Sequence, residues 1–290
     1  PNPQYPNDPN DPTKGGTTPV PEIPGYRPEV PSVTPEDPGK DTEVVYNYDD
    51  QKATINYTDE TTGQQLASDN VSGKSNAKIE YSTAAKIKEL TDKGYVLVSD
   101  GFPADATFDN DKNADQVFEV ILKHGEKPVG PNDPHEPDTP INPNDPDGPK
   151  WPAKDQYSKD YTSTITYVDE QGAKVADDNV QTSTWTRTLI VDTVTGEVKN
   201  PNEAWTADKA QYNAVKSPVV KGYYADKAVV NAKDTVQENL TEQVVYRPLG
   251  KVIPVYPGGS PIPNVPNPQY PNDPNDPTKG GTTPVPEIPG

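Results

Sequence analysis

The chain has 290 residues, no cysteine and a formal charge of −19, because 45 acidic residues stand against 26 basic ones. This acidity excludes nucleic acid and anionic membrane surfaces as partners, since both are bound through clustered Lys and Arg. The lack of cysteine excludes disulfides, thiol catalysis and thiolate metal sites. No apolar run is long enough to insert into a membrane. The chain also has no methionine and opens on a proline-rich stretch, so we expect an internal piece of a longer protein.

Proline divides the chain into folded and unfolded stretches. Of the 37 prolines, 34 lie in residues 1–38, 128–152 and 248–289. Proline lacks a backbone N–H, so such stretches do not form central strands or helices. We therefore predict proline-rich linkers over residues 1–43, 128–155 and 251–290, and compact modules over residues 44–127 and 156–250.

A repeat and a periodic spacer support a serial arrangement. Residues 1–25 are identical to residues 266–290, which predicts a parent protein built from repeated units of about 265 residues. From Pro128 to Pro152 a proline falls at every third position. Polyproline II has three residues per turn, so these residues would form an extended stalk of about 75 Å. The alternative is a disordered linker.

The first module predicts an α+β, β-rich fold. Ile55 and Tyr57 alternate with polar residues, as in a half-buried strand, and Gln64 to Ala67 returns as a hairpin. Apolar residues at helical spacing follow, with Ser82 as N-cap and Gly94 as stop. The predicted elements are a strand at 77–81, a helix at 83–93, and strands at 95–99 and 116–122.

The second module looks like a diverged relative of the first. Thr164 to Glu170 (TITYVDE) matches Thr54 to Glu60 (TINYTDE), and KGY occurs in both modules. A long strand is predicted over residues 181–192 with a turn at Thr195-Gly196. A short helix at 206–215 and a closing strand at 243–246 complete the module.

These motifs resemble the mucin-binding (MucBP-type, Mub) repeats of lactobacillus mucus adhesins. The matching stretches are INYTDETTG, DKGYVLVSD and QVFEVIL in the first module and TITYVDEQG, TWTRTLIVDTVTGEV and SPVVKGYYAD in the second. The resemblance implies β-grasp (ubiquitin-like) modules and an extracellular parent anchored in a Gram-positive cell wall. It also implies binding to mucin glycans, and some relatives are said to bind immunoglobulins. The long spacer departs from close-packed members, which argues against a rigid pair of modules.

Exposed aromatic rings are the natural contacts for sugars. Trp205 lies in a polar, irregular stretch and is the first candidate, beside Tyr212, Tyr223 and Tyr224. Tyr223 and Tyr224 point to opposite sides if extended, so one of them is expected at the surface. Arg187 offers a guanidinium for sialic acid or sulfate, although a structural ion pair is the favoured role.

Metal binding and catalysis have weaker signals. Asp109, Asp111, Asn113 and Asp115 place oxygens at alternate positions, as a calcium loop does, but the pattern lacks the glycine and glutamate of an EF-hand. An acidic loop between strands is the favoured interpretation, and no other cofactor is indicated. We place His124 at a domain end with no pocket to tune it, and we find no catalytic set, so the protein is not expected to be an enzyme.

Two functions remain. In the first, the modules bind mucus, and repetition multiplies weak single-site affinities. In the second, they are non-binding beads of a stalk that projects a distal adhesin domain from the cell wall. The features of the sequence fit both functions equally well, and the family resemblance favours the first.

Overall fold

The computed structural model describes residues 2–288, and the chain forms two compact units. The first unit comprises Pro1–Lys127, Thr139–Trp151 and Val191–Glu197. The second comprises Pro128–Asp138, Pro152–Ile190 and Val198–Gly290. Two short stretches from later in the chain, residues 139–151 and 191–197, therefore complete the first unit.

The N-terminal stretch of the first unit contains short paired strands. These are β1 (Thr18–Pro19), β2 (Tyr26–Pro28), β3 (Ser32–Val33) and β4 (Tyr46–Tyr48). β1 pairs with β3 and β2 pairs with β4, both antiparallel. Proline fits here because two-stranded ribbons leave one edge of each strand unpaired. An extended linker over residues 1–43 is therefore not confirmed.

The main sheet of the first unit has four strands, and one helix lies between the second and third of them in the sequence. Its elements are β5 (Asp50–Asp59), β6 (Gln65–Lys74), α1 (Ala84–Asp92), β7 (Tyr95–Asp100) and β8 (Gln116–His124). The strand order is β6-β5-β8-β7, with β5 and β8 parallel at the centre and the outer pairs antiparallel. The predicted helix and the strands at 95–99 and 116–122 are confirmed. The predicted strand at 77–81 is wrong, since only a single bridge from Lys78 to Thr107 forms there.

The core of the first unit follows the period-2 pattern of the sequence. Ile55 and Tyr57 on β5 are fully buried, as are Val120 and Leu122 on β8. Leu90 is the buried residue of α1 and packs into the same cluster. The alternation of apolar and polar residues on β5 therefore gives one face to the core and one to solvent.

The second half of the predicted spacer folds back on itself. The Ile141 amide donates to the Pro149 carbonyl and the Trp151 amide donates to the Thr139 carbonyl, both at 2.9 Å. Ile141 and Trp151 are buried. Prolines at every third position leave N–H groups between them, and two apolar side chains anchor the turn. The extended polyproline stalk is therefore not confirmed over residues 139–151.

The remaining elements lie largely in the second unit. They are β9 (Glu126–Val129), a 3₁₀ turn (Lys154–Gln156), β10 (Ser158–Asp169), β11 (Lys174–Thr186), β12 (Leu189–Asp192), β13 (Thr206–Ala207), β14 (Gln211–Tyr212), β15 (Val215–Lys216), β16 (Tyr223–Ala225), β17 (Val229–Val230), β18 (Lys233–Asp234) and β19 (Leu240–Pro248). The five-stranded sheet has the order β13-β11-β10-β19-β16, again with a parallel central pair, β10 and β19. β9 and β12, β14 and β18, and β15 and β17 form two-stranded sheets.

Two predictions for the second module need correction. The predicted strand at 181–192 is interrupted at Arg187 and Thr188, which separate β11 from β12. The predicted helix at 206–215 is wrong, because that stretch forms β13, β14 and the start of β15. Pairing with β11, β18 and β17 supplies backbone hydrogen bonds that an isolated amphipathic pattern does not reveal.

The fold is thus β-rich with a single α-helix among residues 2–288, and the two main sheets share a parallel central pair. The β-grasp assignment stays a prediction. Within the same residues, no helix has the length and apolar character needed to cross a bilayer.

Candidate binding surface and a buried histidine

Trp205 lies on a loop that its neighbours hold in place. The loop precedes β13, which pairs with the end of β11. Asn200 anchors it: its side chain accepts a hydrogen bond from the Ile190 amide at 2.7 Å and donates to the Thr188 carbonyl at 3.0 Å. Trp205 itself is half-buried. The indole is therefore fixed to the sheet yet still reaches solvent.

Two cations lie against the Trp205 ring. The Arg187 guanidinium carbon is 4.6 Å from the ring centroid, and the Lys159 ammonium is 5.3 Å from it. Both distances are within the range of cation–π attraction. In a chain with a net charge of −19, two cations thus lie beside one aromatic ring.

Arg187 also holds the loop in place through hydrogen bonds to backbone carbonyls. Its Nε donates to the Gln156 carbonyl at 2.8 Å, and its Nη1 donates to the carbonyls of Pro201 and Glu203 at 2.9 and 3.2 Å. The favoured prediction of a structural ion pair is therefore replaced by a set of bonds to backbone carbonyls. These bonds fix the guanidinium plane beside Trp205 before any ligand arrives.

Tyr212 is removed from the candidate glycan contacts. It is 2 % exposed, and its hydroxyl bonds to Ser183 at 2.8 Å and to the Tyr161 carbonyl at 3.2 Å. The ring therefore packs inside the second unit and cannot contact an external sugar. It lies on β14, within the stretch for which the sequence predicts a helix.

Tyr223 and Tyr224 occupy opposite sides of β16, as alternation predicts. Tyr223 packs against the apolar core of the second unit. Tyr224 lines a shallow cleft of about 360 Å³ together with Leu249 and Tyr270. Both residues are half-buried, so neither is freely exposed. Neither lies in the cluster formed by Trp205, Arg187 and Lys159.

The acidic loop does not gather its carboxylates into a metal site. Asp109 accepts a hydrogen bond from the amide of Asp111, and Asp111 accepts one from the amide of Asn113, at 3.1 and 2.9 Å. These are turn-forming contacts with neighbouring backbone. Among residues 2–288, no group of three or more acidic or histidine side chains is placed to hold an ion, and this includes Asp115. The structure thus offers no support for calcium at this loop.

His124 is buried between two carboxylates, which corrects its predicted place at an untuned domain end. Its Nδ1 is 2.7 Å from Asp192 Oδ2, and its Nε2 is 3.0 Å from Asp59 Oδ2. The side chains of all three residues are at most 9 % exposed. A neutral imidazole has one N–H, so donation to both carboxylates requires the doubly protonated ring. Asp192 is 68 residues away in the chain, and no local pattern reveals the contact.

The two carboxylates are held in their ionised form. Burial raises the pKa of Asp59, but hydrogen bonds from Thr62, the Thr61 amide and His124 outweigh burial and leave the pKa below its ordinary value. Their distances are 2.6 Å from the Thr62 hydroxyl and 2.9 Å from the Thr61 amide.

Asp192 follows the same pattern. Burial raises its pKa, and hydrogen bonds from His124 and from the amides of Thr195 and Val194 lower it by more. Because both ring nitrogens of His124 face carboxylates, neither is directed at a substrate, as a general base requires. The cluster therefore fastens β8 to the 191–197 stretch within the first unit, and this role is structural.

The fold and the site define a β-rich protein with two related sheets, an aromatic–cationic surface loop, and a buried histidine that serves structure. Two family models match in succession: a mucin binding domain over residues 51–124 and a Muc B2-like domain over residues 152–250. Neither description is that of an enzyme.

Three solved structures are similar to this chain in sequence. The type 2 repeat of the mucus binding protein MUB from Lactobacillus reuteri is 34% identical, with 68% of this chain and 99% of that chain covered and a TM-score of 0.45. The structure of Mub-RV is 32% identical, covering 68% of this chain and 97% of that one, with a TM-score of 0.49. The MucBP domain of an adhesion protein from Pediococcus pentosaceus is 31% identical, covering 31% and 98%, with a TM-score of 0.28.

The chain therefore belongs to the family of mucin-binding repeats of surface adhesins, as the sequence motifs indicated. The assignment follows from the two family models and from sequence identity along nearly the whole of the solved repeats. No curated protein matches the chain.

Proposed function

We propose that this chain is a mucus-adhesin repeat whose second unit binds acidic mucin glycans at Trp205, Arg187 and Lys159. The observation that carries the proposal is the contact of two cations with one solvent-reaching indole in a strongly acidic chain. Family membership supports mucin as the source of the glycan.

The chemistry suits a sugar that bears a carboxylate or sulfate. An indole offers an apolar face to the C–H groups of a pyranose ring. A guanidinium or ammonium beside that ring pairs with the anionic group. Arg187 is oriented by three backbone carbonyls, so little side-chain entropy is lost when it engages an anion.

A single site of this kind binds weakly, and repetition supplies the strength. The surface offers one ring and two cations, so we expect a dissociation constant near the millimolar range, about −4 kcal/mol. Sites joined in series gain effective concentration, so an array can bind mucus 10²–10⁴-fold more tightly than one repeat.

The test is binding of the chain to immobilised mucin at low salt, with single substitutions. Trp205→Ala is expected to weaken binding by about tenfold, or ~1.4 kcal/mol. Lys159→Glu reverses one of the two charges and is expected to weaken binding at least threefold. Lys216→Glu, an equal charge change at another exposed position of the second unit, serves as the matched control.

Enzymatic removal of sialic acid and sulfate from the mucin separates the outcomes. Binding that falls on treated mucin to the level of the Lys159→Glu variant supports an acidic ligand. Equal binding of all variants to treated and native mucin refutes the site. Binding to neither form, even by a multimerised chain, favours the stalk.

The alternative function is a non-binding stalk that holds a distal adhesin away from the wall. The folded hairpin at residues 139–151 favours it in part, since it stiffens a stretch expected to be a linker. Immunoglobulin binding and anchorage of the parent in the cell wall stay predictions. An immunoglobulin-coated surface in the same assay tests the former.

A further inference from the structure

The 25-residue repeat contains one loop that forms the same backbone contacts at both of its positions. Asn7 bridges to Gly15 in the N-terminal copy, residues 1–25, and Asn272 bridges to Gly280 in the C-terminal copy, residues 266–290. The Gly16 amide donates to the Pro6 carbonyl, and the Gly281 amide donates to the Pro271 carbonyl, both at 2.7 Å. The loop at residues 6–16 therefore recurs at residues 271–281.

In the C-terminal copy, Asn272 fastens this loop to the second unit. Its side-chain oxygen accepts the Gly222 amide at 2.9 Å. Its side-chain nitrogen donates to the carbonyls of Val220 and Tyr223 at 2.8 and 2.7 Å. One asparagine thus satisfies three backbone groups of the turn that leads into β16.

Further contacts widen the attachment. The Gln269 side chain donates to the carbonyls of Leu249 and Gly222 at 2.9 and 3.2 Å. The Ala225 amide donates to the Pro277 carbonyl at 2.8 Å. Pro277 is buried, and so is Leu249, which is 7 % exposed.

Two of these groups are uncovered in the N-terminal copy. Gln4, Asn7 and Pro12 correspond to Gln269, Asn272 and Pro277, and all three are exposed there, whereas in the C-terminal copy Pro277 is buried, Asn272 is half-buried and Gln269 is exposed. Gly15 is buried there, where Pro35 covers it. In the C-terminal copy Leu249 lies against the corresponding Gly280. Gly280 itself is exposed, so Leu249 touches this glycine without burying it.

From the identity of the segments and the exposure of their docking groups, we propose that residues 1–25 bind the second unit of another copy of this repeat. They would use the turn at residues 220–223 and the backbone of Leu249, as the C-terminal copy does in cis. The partner is a second copy of the chain placed before this one in series. Docking would exchange the Pro35 contact of Gly15 for one with Leu249.

The consequence is a fastened junction between successive repeats in place of a free hinge. The attachment consists mainly of hydrogen bonds, each worth little on its own, so it is weak between separate chains. Tethering in series raises the effective concentration to the millimolar range, where weak docking becomes populated. The proposal is independent of glycan binding.

The first test is amide hydrogen exchange on the full chain at Gly222 and Ala225, which report on the Asn272 and Pro277 contacts. Asn272→Ala is expected to speed exchange at both amides by at least about tenfold, since it removes three hydrogen bonds. Asn7→Ala is the same change in an identical sequence context and should leave both rates unchanged. Unchanged rates in Asn272→Ala would overturn the proposal.

The second test supplies the segment from outside. A synthetic peptide of residues 1–25, at about 1 mM, is added to the Asn272→Ala chain. It should restore protection at both amides, and the same peptide carrying Asn7→Ala should not. Lack of restoration, or equal restoration by both peptides, would overturn the proposal. If Asn272→Ala loses protection at Val244 and so unfolds the sheet, Gln269→Ala replaces it, with Gln4→Ala as its control.

Discussion

Replacing His124 by alanine tests how the first unit is held together. The change leaves the carboxylates of Asp59 and Asp192, with side chains 2 % and 6 % exposed, without the ring that lies between them. Removing one partner of a buried ion pair costs about 3–5 kcal/mol, because the remaining charge is desolvated and unpaired. In a domain of this size, 1 kcal/mol shifts the melting temperature by roughly 2–4 °C, so a fall of about 6–20 °C is expected.

The assay is differential scanning calorimetry of the full chain at pH 7, with the double variant His124→Ala/Asp192→Asn as control. The amide keeps the size of the carboxylate and removes one of the two facing charges. It should therefore recover at least about 1 kcal/mol of the loss. A His124→Ala transition within 2 °C of the wild type, on the scale given above, would refute the charged arrangement.

Three further results are expected. Gly94→Ala should destabilise the first unit by about 3 kcal/mol or more in thermal melts, because φ is +98° and a Cβ would lie 2.2 Å from a backbone oxygen. The control is Gly63→Ala, which should cost only about 1–2 kcal/mol because φ is +75° and the space around it is open. Equal losses in the two variants would contradict the steric argument. The pKa values of Asp59 and Asp192 are lowered in the folded state, so the stabilisation they give is complete above the ordinary Asp pKa and is lost as pH falls through the folded-state pKa values. The melting temperature of the first unit should therefore decrease below about pH 4. A melting temperature that stays constant between about pH 5 and pH 2 would disprove this. A chelator should leave the melting temperature unchanged, since the carboxylates of Asp109 and Asp111 accept hydrogen bonds from amides of their own turns, and a fall would restore the calcium interpretation.

Local pattern was sufficient for the main sheet of the first unit. The alternation around Ile55 and the helical spacing before Gly94 gave the strands and the helix, because each signal lies within one element. Residues 206–215 were assigned wrongly because their strands are only two residues long and depend on pairing with distant partners. Short strands of that kind carry no periodicity to detect.

In the candidate site, too, local features could be predicted and contacts between distant residues could not. Trp205 could be predicted as a candidate because a tryptophan in a polar, irregular stretch is visible in the local sequence. Its contact with Lys159 could not be predicted, since it depends on how the loop meets β10. Tyr212 was misplaced with its strand, and the partners of His124 lie 65 and 68 residues away. Proline spacing predicted an extended spacer, and the buried side chains of Ile141 and Trp151 oppose that geometry.

The most direct measurement of mucin recognition uses the three tryptophans of the chain, which give three indole N–H signals in a nitrogen–proton NMR spectrum. Titration with a sialylated or sulfated oligosaccharide should shift the Trp205 signal in a saturable way. The signals of Trp151, which is buried, and Trp185, whose indole donates to Ser183 at 3.2 Å, should stay in place. A Trp205 signal that does not move at millimolar glycan, while intact mucin still binds the chain, would contradict the proposed site.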